Sequence, residues 1–343
     1  MEIEGHISKN RTVKMGVPQG SILGPLLFLL YINDLPLCLS NSTPILFADD
    51  TTVFKIGTNI LDLYRDMNND LKKLESWCAV NKLSLNGKKT KYILFKPGDK
   101  HVHYGNLTFG GQLIERIGEK CKNTAFKFLG HWVDEQFNWN FHTNKLVNKL
   151  NSTNYVMSKV KNKFPFSVRK KIYTSLAQSH LTWGSTITGA TSLSNSKKLD
   201  TIQNKILRNL CNVNYNAHTQ PLYSNLKILK ASDLLYSSQV LIGFKFRQDC
   251  LPPTLTNFFK YSYEEGDREQ RDSCLNFKVP ITKIKCNTRY PLPEIIKSWN
   301  RLPYDLKSLY SITTFKKEVK NFLVEKYEGF TCSKPKCYSC GYK

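Results

Sequence analysis

Residues 45–54 read ILFADDTTVF, two adjacent aspartates inside an otherwise apolar, strand-forming stretch. Strand side chains alternate between faces, so a regular core strand cannot hide both carboxylates, and an unpaired buried charge costs several kcal/mol. A tight hairpin resolves the conflict: residues 45–48 run in, Asp49 and Asp50 occupy the bend, and residues 51–54 run out. An ordinary Asp-rich β-turn is one reading of such a bend. The other is chemical. Adjacent carboxylates on a rigid turn are good ligands for hard cations such as Mg²⁺ or Mn²⁺. In nucleotidyl transfer such ions clamp the attacking hydroxyl and the leaving phosphate oxygen.

The charge balance favours the second reading. The 343 residues carry 50 Lys+Arg against 27 Asp+Glu, a net charge of +23. An enzyme of small neutral substrates has no use for such an excess, whereas a polyanion releases counterions on meeting it. Nucleic acid is the expected partner, an anionic membrane surface the weaker rival. The most apolar run, residues 22–32, is too short to span a bilayer and contains Pro25. The N-terminus MEIEGHISKN lacks the apolar core of a secretory signal. Cys38, Cys78, Cys121, Cys211, Cys250, Cys274 and Cys286 are scattered without framework spacing, as befits reduced thiols. An intracellular protein, nuclear or cytoplasmic, is expected.

The fold class expected is α+β. Residues 1–15 read as two short strands around Gly5 and a polar turn at 8–11. GVPQGS (residues 16–21) is turn chemistry, and the apolar stretch after it fits a buried helix closed by Pro36. Leu26, Leu27, Leu30 and Ile32 should pack under the aspartate hairpin and the next helix. That helix is marked by Ile60, Leu63, Met67, Leu71, Leu74 and Cys78 at helical spacing. Strands follow at 91–95, in NLTFGGQLIERI with Gly110-Gly111 as a turn, and in AFKFLGHWV. From residue 141 to about 240 helices dominate. Segment 147–173 holds seven Lys/Arg and no acid. With Leu150, Tyr155 and Met157 inward, Lys149, Lys159, Lys161 and Lys163 face out, and with Arg169, Lys170 and Lys171 they are candidates for contact with a nucleic-acid backbone. A Pro- and aromatic-rich part from about 241 ends in a helix expected at 314–327.

GVPQGSILGPLLFLLYINDLP followed at this distance by FADD resembles the motif B and catalytic turn of reverse transcriptases of non-LTR retrotransposons, the jockey-like elements in particular. NKLSLNGKKTKYILF and FKFLGHWVDEQFNW resemble the next motif and the primer-grip strands. AQSHLTWGSTITGA, LDTIQNKILRNL and SWNRLPYDLKSLYSITTFKKEVKNFLVEKY resemble the regions after the palm. The resemblance implies a partial polymerase palm over 1–135, a basic thumb-like region over 136–240, a C-terminal helical and aromatic region over 241–330 and a cysteine-bearing tail over 331–343. It implies that Asp49 binds metal with Asp50 in support, and that Gln19, Gly20 and Ser21 border template and nucleotide. It places Lys89 or Lys91 near the triphosphate. The partners implied are an RNA template, a DNA primer or target, and dNTPs. The family needs a further catalytic aspartate on a palm strand before motif B. Only fifteen residues precede Gly16, and their only acids are Glu2 and Glu4. A copy truncated at its 5′ end, inactive alone, is therefore expected. A non-catalytic nucleic-acid-binding remnant and a maturase-type polymerase are the alternatives.

Cys332, Cys337 and Cys340 form C-x₄-C-x₂-C, whose C-x₂-C unit is a common zinc chelate, and the resemblance admits a zinc knuckle. No fourth ligand follows. His6, His101, His103, His131, His142, His180 and His218 are all remote in sequence, so Zn²⁺ and a metal-free tail are both open.

Overall fold

In a computed structural model the residues described are 2–3, 5–7, 16–17, 20–84, 86–96, 105–118, 121–189, 191–262, 274–280 and 291–329. The chain divides into two compact units, one of Met1–Tyr92 with Asp99–Arg116, the other of Ile93–Gly98 with Ile117–Lys343.

The first unit mixes α and β. Strands β1 (Glu2–Ile3) and β2 (His6–Ile7) pair around Gly5, whose φ of +79° suits the tight turn. Helix α1 (Gly24–Ile32) carries Pro25 in its first turn, where no backbone N–H is missed. A 3₁₀ turn at Leu35–Cys38 leads to β3 (Thr43–Phe47) and β4 (Asp50–Phe54). Helix α2 (Ile60–Val80) begins at Asn59, whose side chain accepts from the Leu61 N–H. Strand β5 (Lys91–Ile93) precedes β6 (Thr108–Phe109) and β7 (Gln112–Leu113), with β8 (Glu115–Ile117) last. Between β6 and β7, Gly110 and Gly111 both have positive φ, +60° and +70°, the backbone a two-residue hairpin turn of the primed type requires.

The core of this unit joins Ile32 and Leu35 to Tyr64, Leu71, Leu74 and Cys78 of α2 and to Leu107, Phe109 and Ile114. One expectation fails here. Ile32 is buried, at 5% exposure, but Leu26, Leu27 and Leu30 are 54%, 46% and 66% exposed. The helix is apolar on every side, and one short helix can turn only one side to α2 and the small sheets.

The second unit is mostly helical. Strands β9 (Ala125–Phe128) and β10 (His131–Asp134) form a hairpin closed by Leu129 and Gly130, both with positive φ. Then come α3 (Asn140–Val160), α4 (Phe166–Tyr173), a π-helical turn at Thr174–Gln178, α5 (Ser179–Thr182), α6 (Ser185–Thr188) and α7 (Leu193–Cys211). They are followed by α8 (Gln220–Leu226), α9 (Ala231–Arg247), α10 (Pro253–Thr256), α11 (Pro291–Asn300), α12 (Tyr304–Lys307) and α13 (Ile312–Glu325). Helix α9 runs through residue 240.

Helix α3 lies along α7, tied by side-chain bonds between Asn195 and Asn140 (2.8 Å) and between Asn209 and Asn154 (2.9 Å). Leu150 and Met157 of α3 join Ile206, Leu207 and Leu210 of α7, Phe244 of α9, Trp299 of α11 and Phe315 of α13 in one core. Tyr155, expected inward with them, points to solvent, and Lys159 lies over its ring at 5.3 Å. Aligning Leu150 and Met157, seven residues apart, puts position 155 on the opposite side of the helix. Within the core Gln203 is satisfied throughout. It donates to Tyr173 Oη and the Leu229 carbonyl (2.9 Å each) and accepts from Tyr223 Oη and the Ala231 N–H. No helix among the described residues is long and apolar enough to cross a membrane.

Candidate functional site

The β3–β4 pair runs antiparallel from Thr43 opposite Phe54 to Phe47 opposite Asp50. The bend is therefore Ala48–Asp49, one residue earlier than expected, and Asp50 is the first residue of β4. Ala48 takes φ of +50°, a left-handed conformation that the tight reversal imposes on a non-glycine residue. Both carboxylates are exposed, and no hydrogen bond or ion pair to another described residue engages either one. Placing the charges at the exposed turn of a small hairpin avoids the burial cost that a regular strand would impose.

The strand that enters the bend is fixed from behind. Asp70, buried on α2, accepts from the backbone N–H groups of Ser40 (3.2 Å) and Asn41 (2.8 Å), from the Asn41 amide (3.3 Å) and from the Ser42 hydroxyl (2.6 Å). Lys73, one turn on, donates to Ser40 Oγ at 2.7 Å and lies 3.8 Å from Asp70. Burial pushes the Asp70 pKa up, but the bonds from Ser42, Asn41 and Ser40 outweigh it and hold the carboxyl below its ordinary range. Sequence reading passed over Asp70 because it sits among the polar residues of an amphipathic helix. The cluster Ser-Asn-Ser at 40–42 was the signal available.

The other candidates are placed as follows. Gly20 has φ of +84°, and Ser21 Oγ accepts from the Gly24 N–H (3.1 Å) at the start of α1. No hydrogen bond among the described residues joins this turn to the aspartates. Gln19 lies outside the described residues, as do Glu4, His101, His103, Cys332, Cys337 and Cys340. Lys91 is held in an ion pair by Glu115, whereas the Lys89 side chain is exposed on the turn before β5. Among the described residues no group of three or more His, Cys, Asp or Glu could hold a metal ion. Asp49 and Asp50 supply two oxygen-donor groups by themselves, and a hard cation there would need further donors to fill its shell.

In the helical unit Lys149, Lys159, Lys163, Lys170 and Lys171 are exposed and Lys161 is half-buried. Arg169 has a different task. Its guanidinium donates to the carbonyl of Leu210 (2.6 Å) at the C-terminal end of α7, where cations are favoured. Sequence reading missed Lys197, Lys198 and Lys205. With Val147 and Asn151 of α3 they line a groove of about 430 Å³ between α3 and α7. Their seven- and eight-residue spacing, two helical turns, was the overlooked signal.

Residues 1–133 match the family model described as reverse transcriptase (RNA-dependent DNA polymerase). The chain is 24% identical over 249 residues to the "RNA-directed DNA polymerase from mobile element jockey" of Drosophila melanogaster, covering 68% of this chain and 26% of that protein. Its counterpart in Drosophila funebris is 23% identical, over 74% of this chain and 28% of the relative. The "Probable RNA-directed DNA polymerase from transposon X-element" of Drosophila melanogaster is 25% identical, over 66% and 25%. The chain spans about a quarter of the length of these relatives. No solved structure gives a significant match. Residues 1–133 thus resemble a reverse transcriptase domain, and the chain is similar to the RNA-directed DNA polymerases of jockey-like, non-LTR mobile elements.

Proposed function

We propose that this chain is the portion of an RNA-directed DNA polymerase that presents metal-binding aspartates and grips the primer–template. In this reading residues 1–135 form a palm-type catalytic part, 136–240 a thumb-like helical part and 241–330 a C-terminal helical region. The observation that carries it is the β3–β4 bend: two exposed carboxylates, unengaged among the described residues, in a chain of net charge +23. Asp49 holds the Mg²⁺ or Mn²⁺ and Asp50 supports it from the first position of β4. Such an ion, when bound, supplies positive charge where the primer 3′-hydroxyl and the nucleotide phosphates meet. Gly20 and Ser21 let the template or nucleotide approach the backbone closely, with Gln19 as a hydrogen-bonding neighbour. Lys89 meets the triphosphate, since Lys91 is already neutralised by Glu115.

The test is calorimetric titration of the 343-residue chain with Mn²⁺ in the presence of a primed RNA template and dNTP. Binding is expected in the wild type and is expected to be lost in Asp49→Asn. Equal binding in both would overturn the assignment. Primer extension by these residues alone is not expected, because two carboxylates do not complete a two-metal site. Extension that disappears in Asp49→Asn would show that the carboxylate site is completed in some other way, a second chain being one. The non-catalytic reading predicts the opposite pattern: nucleic-acid binding unaffected by Asp49→Asn or EDTA, with no Mn²⁺ bound at the hairpin.

A further inference from the structure

Trp183 closes α5, its N–H donating to the Ser179 carbonyl at 3.0 Å. A tryptophan at such a position ordinarily folds inward, where burial of its large apolar area stabilises the core. This one is 64% exposed and yet firmly backed. Its indole lies nearly parallel to the buried His131 imidazole, at 15° with ring centroids 6.3 Å apart. His131 in turn stacks on His142 at 5.1 Å. The Trp183 carbonyl lies 3.3 Å from His131 Nε2.

Two glycines make this arrangement possible. Gly184 has φ of +63°, and a Cβ there would fall 1.7 Å from His131 Nε2. Gly130, in the β9–β10 turn with φ of +89°, would place a Cβ 2.8 Å from Trp183 Nε1. The backbone on both sides is thus kept free of side chains so that the indole can lie across the hairpin turn, braced on one side and open on the other. A solitary exposed apolar residue needs no such bracing.

The surroundings are electropositive. Burial and then the charge of Lys149 hold the His180 imidazole, three residues before Trp183, below its usual range. Lys127 and Trp132, a cross-strand pair, lie on the other face of the same hairpin from His131, and Lys145 approaches the Trp132 ring there at 5.6 Å. A flat aromatic face with a lysine close by is the combination that holds an unpaired base while charge holds the phosphate.

We infer that Trp183 is a stacking platform for an unpaired nucleobase of single-stranded RNA or DNA, with Lys149 meeting the adjoining phosphodiester. The inference rests on the nucleic-acid-binding reading above and adds the place and chemistry of one contact. Being a contact to the base, it separates from charge in a direct experiment. Fluorescence anisotropy compares an oligouridylate of about 12 nucleotides with an abasic phosphodiester strand of the same length, using the whole chain. Trp183→Ala is expected to weaken oligouridylate binding by about 5- to 100-fold and to leave abasic-strand binding unchanged. Trp183→Phe is expected to retain most of the affinity. Unchanged abasic binding also reports that the variant is folded. No loss in Trp183→Ala, or an equal loss on both strands, would overturn the platform while leaving the nucleic-acid reading intact. Wild-type chain that binds neither strand would remove both.

Discussion

Asp70 is the residue on which the geometry of the aspartate bend depends most directly. Its buried carboxylate gathers residues 40–42 and so fixes where β3 begins. Asp70→Ala would leave those donors unpaired in a partly closed site, at a cost of about 3 kcal/mol, read as a lower urea midpoint together with faster amide exchange in β3. Unchanged exchange at residues 43–47 would show that the strand is held by other means. The pH dependence has a definite sign. The folded pKa lies below the ordinary 3.8, so the contribution of Asp70 is present above that value and is lost as pH falls through the depressed one. His142 acts in a higher window. Burial first, then neighbouring His131, pushes its pKa down to about 4, so the unfolded chain takes up a proton that the folded chain refuses. Its contribution is complete above about pH 6.5 and declines as pH falls towards 4. His142→Gln should flatten that decline, by an amount on the order of 2 kcal/mol, less than the full shift because the ring is partly exposed. Parallel stability–pH curves for variant and wild type would refute it.

At the scale of elements, what could be read in the sequence was whatever local chemistry decides. Helix α2 follows from its spacing of Leu71, Leu74 and Cys78, and the β6–β7 turn from Gly110-Gly111, because glycine alone adopts two successive left-handed conformations without strain. The aspartate hairpin was legible as a reversal, although its bend falls at Ala48–Asp49. Helix α1 was legible as a helix but its packing was not, since composition records a preference for burial and not the surface available to satisfy it. Leu27→Ala is therefore expected to cost under about 1 kcal/mol, against about 2–5 kcal/mol for Leu74→Ala in the core. Equal losses of melting temperature would mean that α1 is covered in solution. Arg169 and Trp183 were opaque for a related reason. A basic run does not reveal that one of its members meets the carbonyls ending α7, and a tryptophan before a glycine does not reveal which face stays open.

For the whole molecule the decisive quantity is unbalanced charge. Several acids are engaged internally: Asp66 with Lys55, Glu115 with Lys91, Glu294 with Lys297, and Asp70 with its loop. The helical unit leaves Lys149, Lys159 and Lys163 exposed on and just beyond α3 and adds Lys197, Lys198 and Lys205 along the α3–α7 groove. Exposed lysines held apart by their own repulsion raise the energy of the free chain, and a polyanion relieves that repulsion while releasing its counterions. Affinity for primed RNA should accordingly fall by orders of magnitude between about 50 and 200 mM salt. Replacing Lys197, Lys198 and Lys205 together by Glu should do more than weaken binding. If each meets a phosphate of a single strand, the slope of log affinity against log salt should become shallower by about 2, at roughly 0.7 per lost contact. The magnitude separates two cases that affinity alone would confuse. A long-range field effect lowers affinity whichever lysines are changed, whereas phosphate contacts in the groove make this triple variant lose more slope than a triple variant at Lys316, Lys317 and Lys320 of α13. Equal slopes for the two variants would assign binding to the net charge and not to the groove.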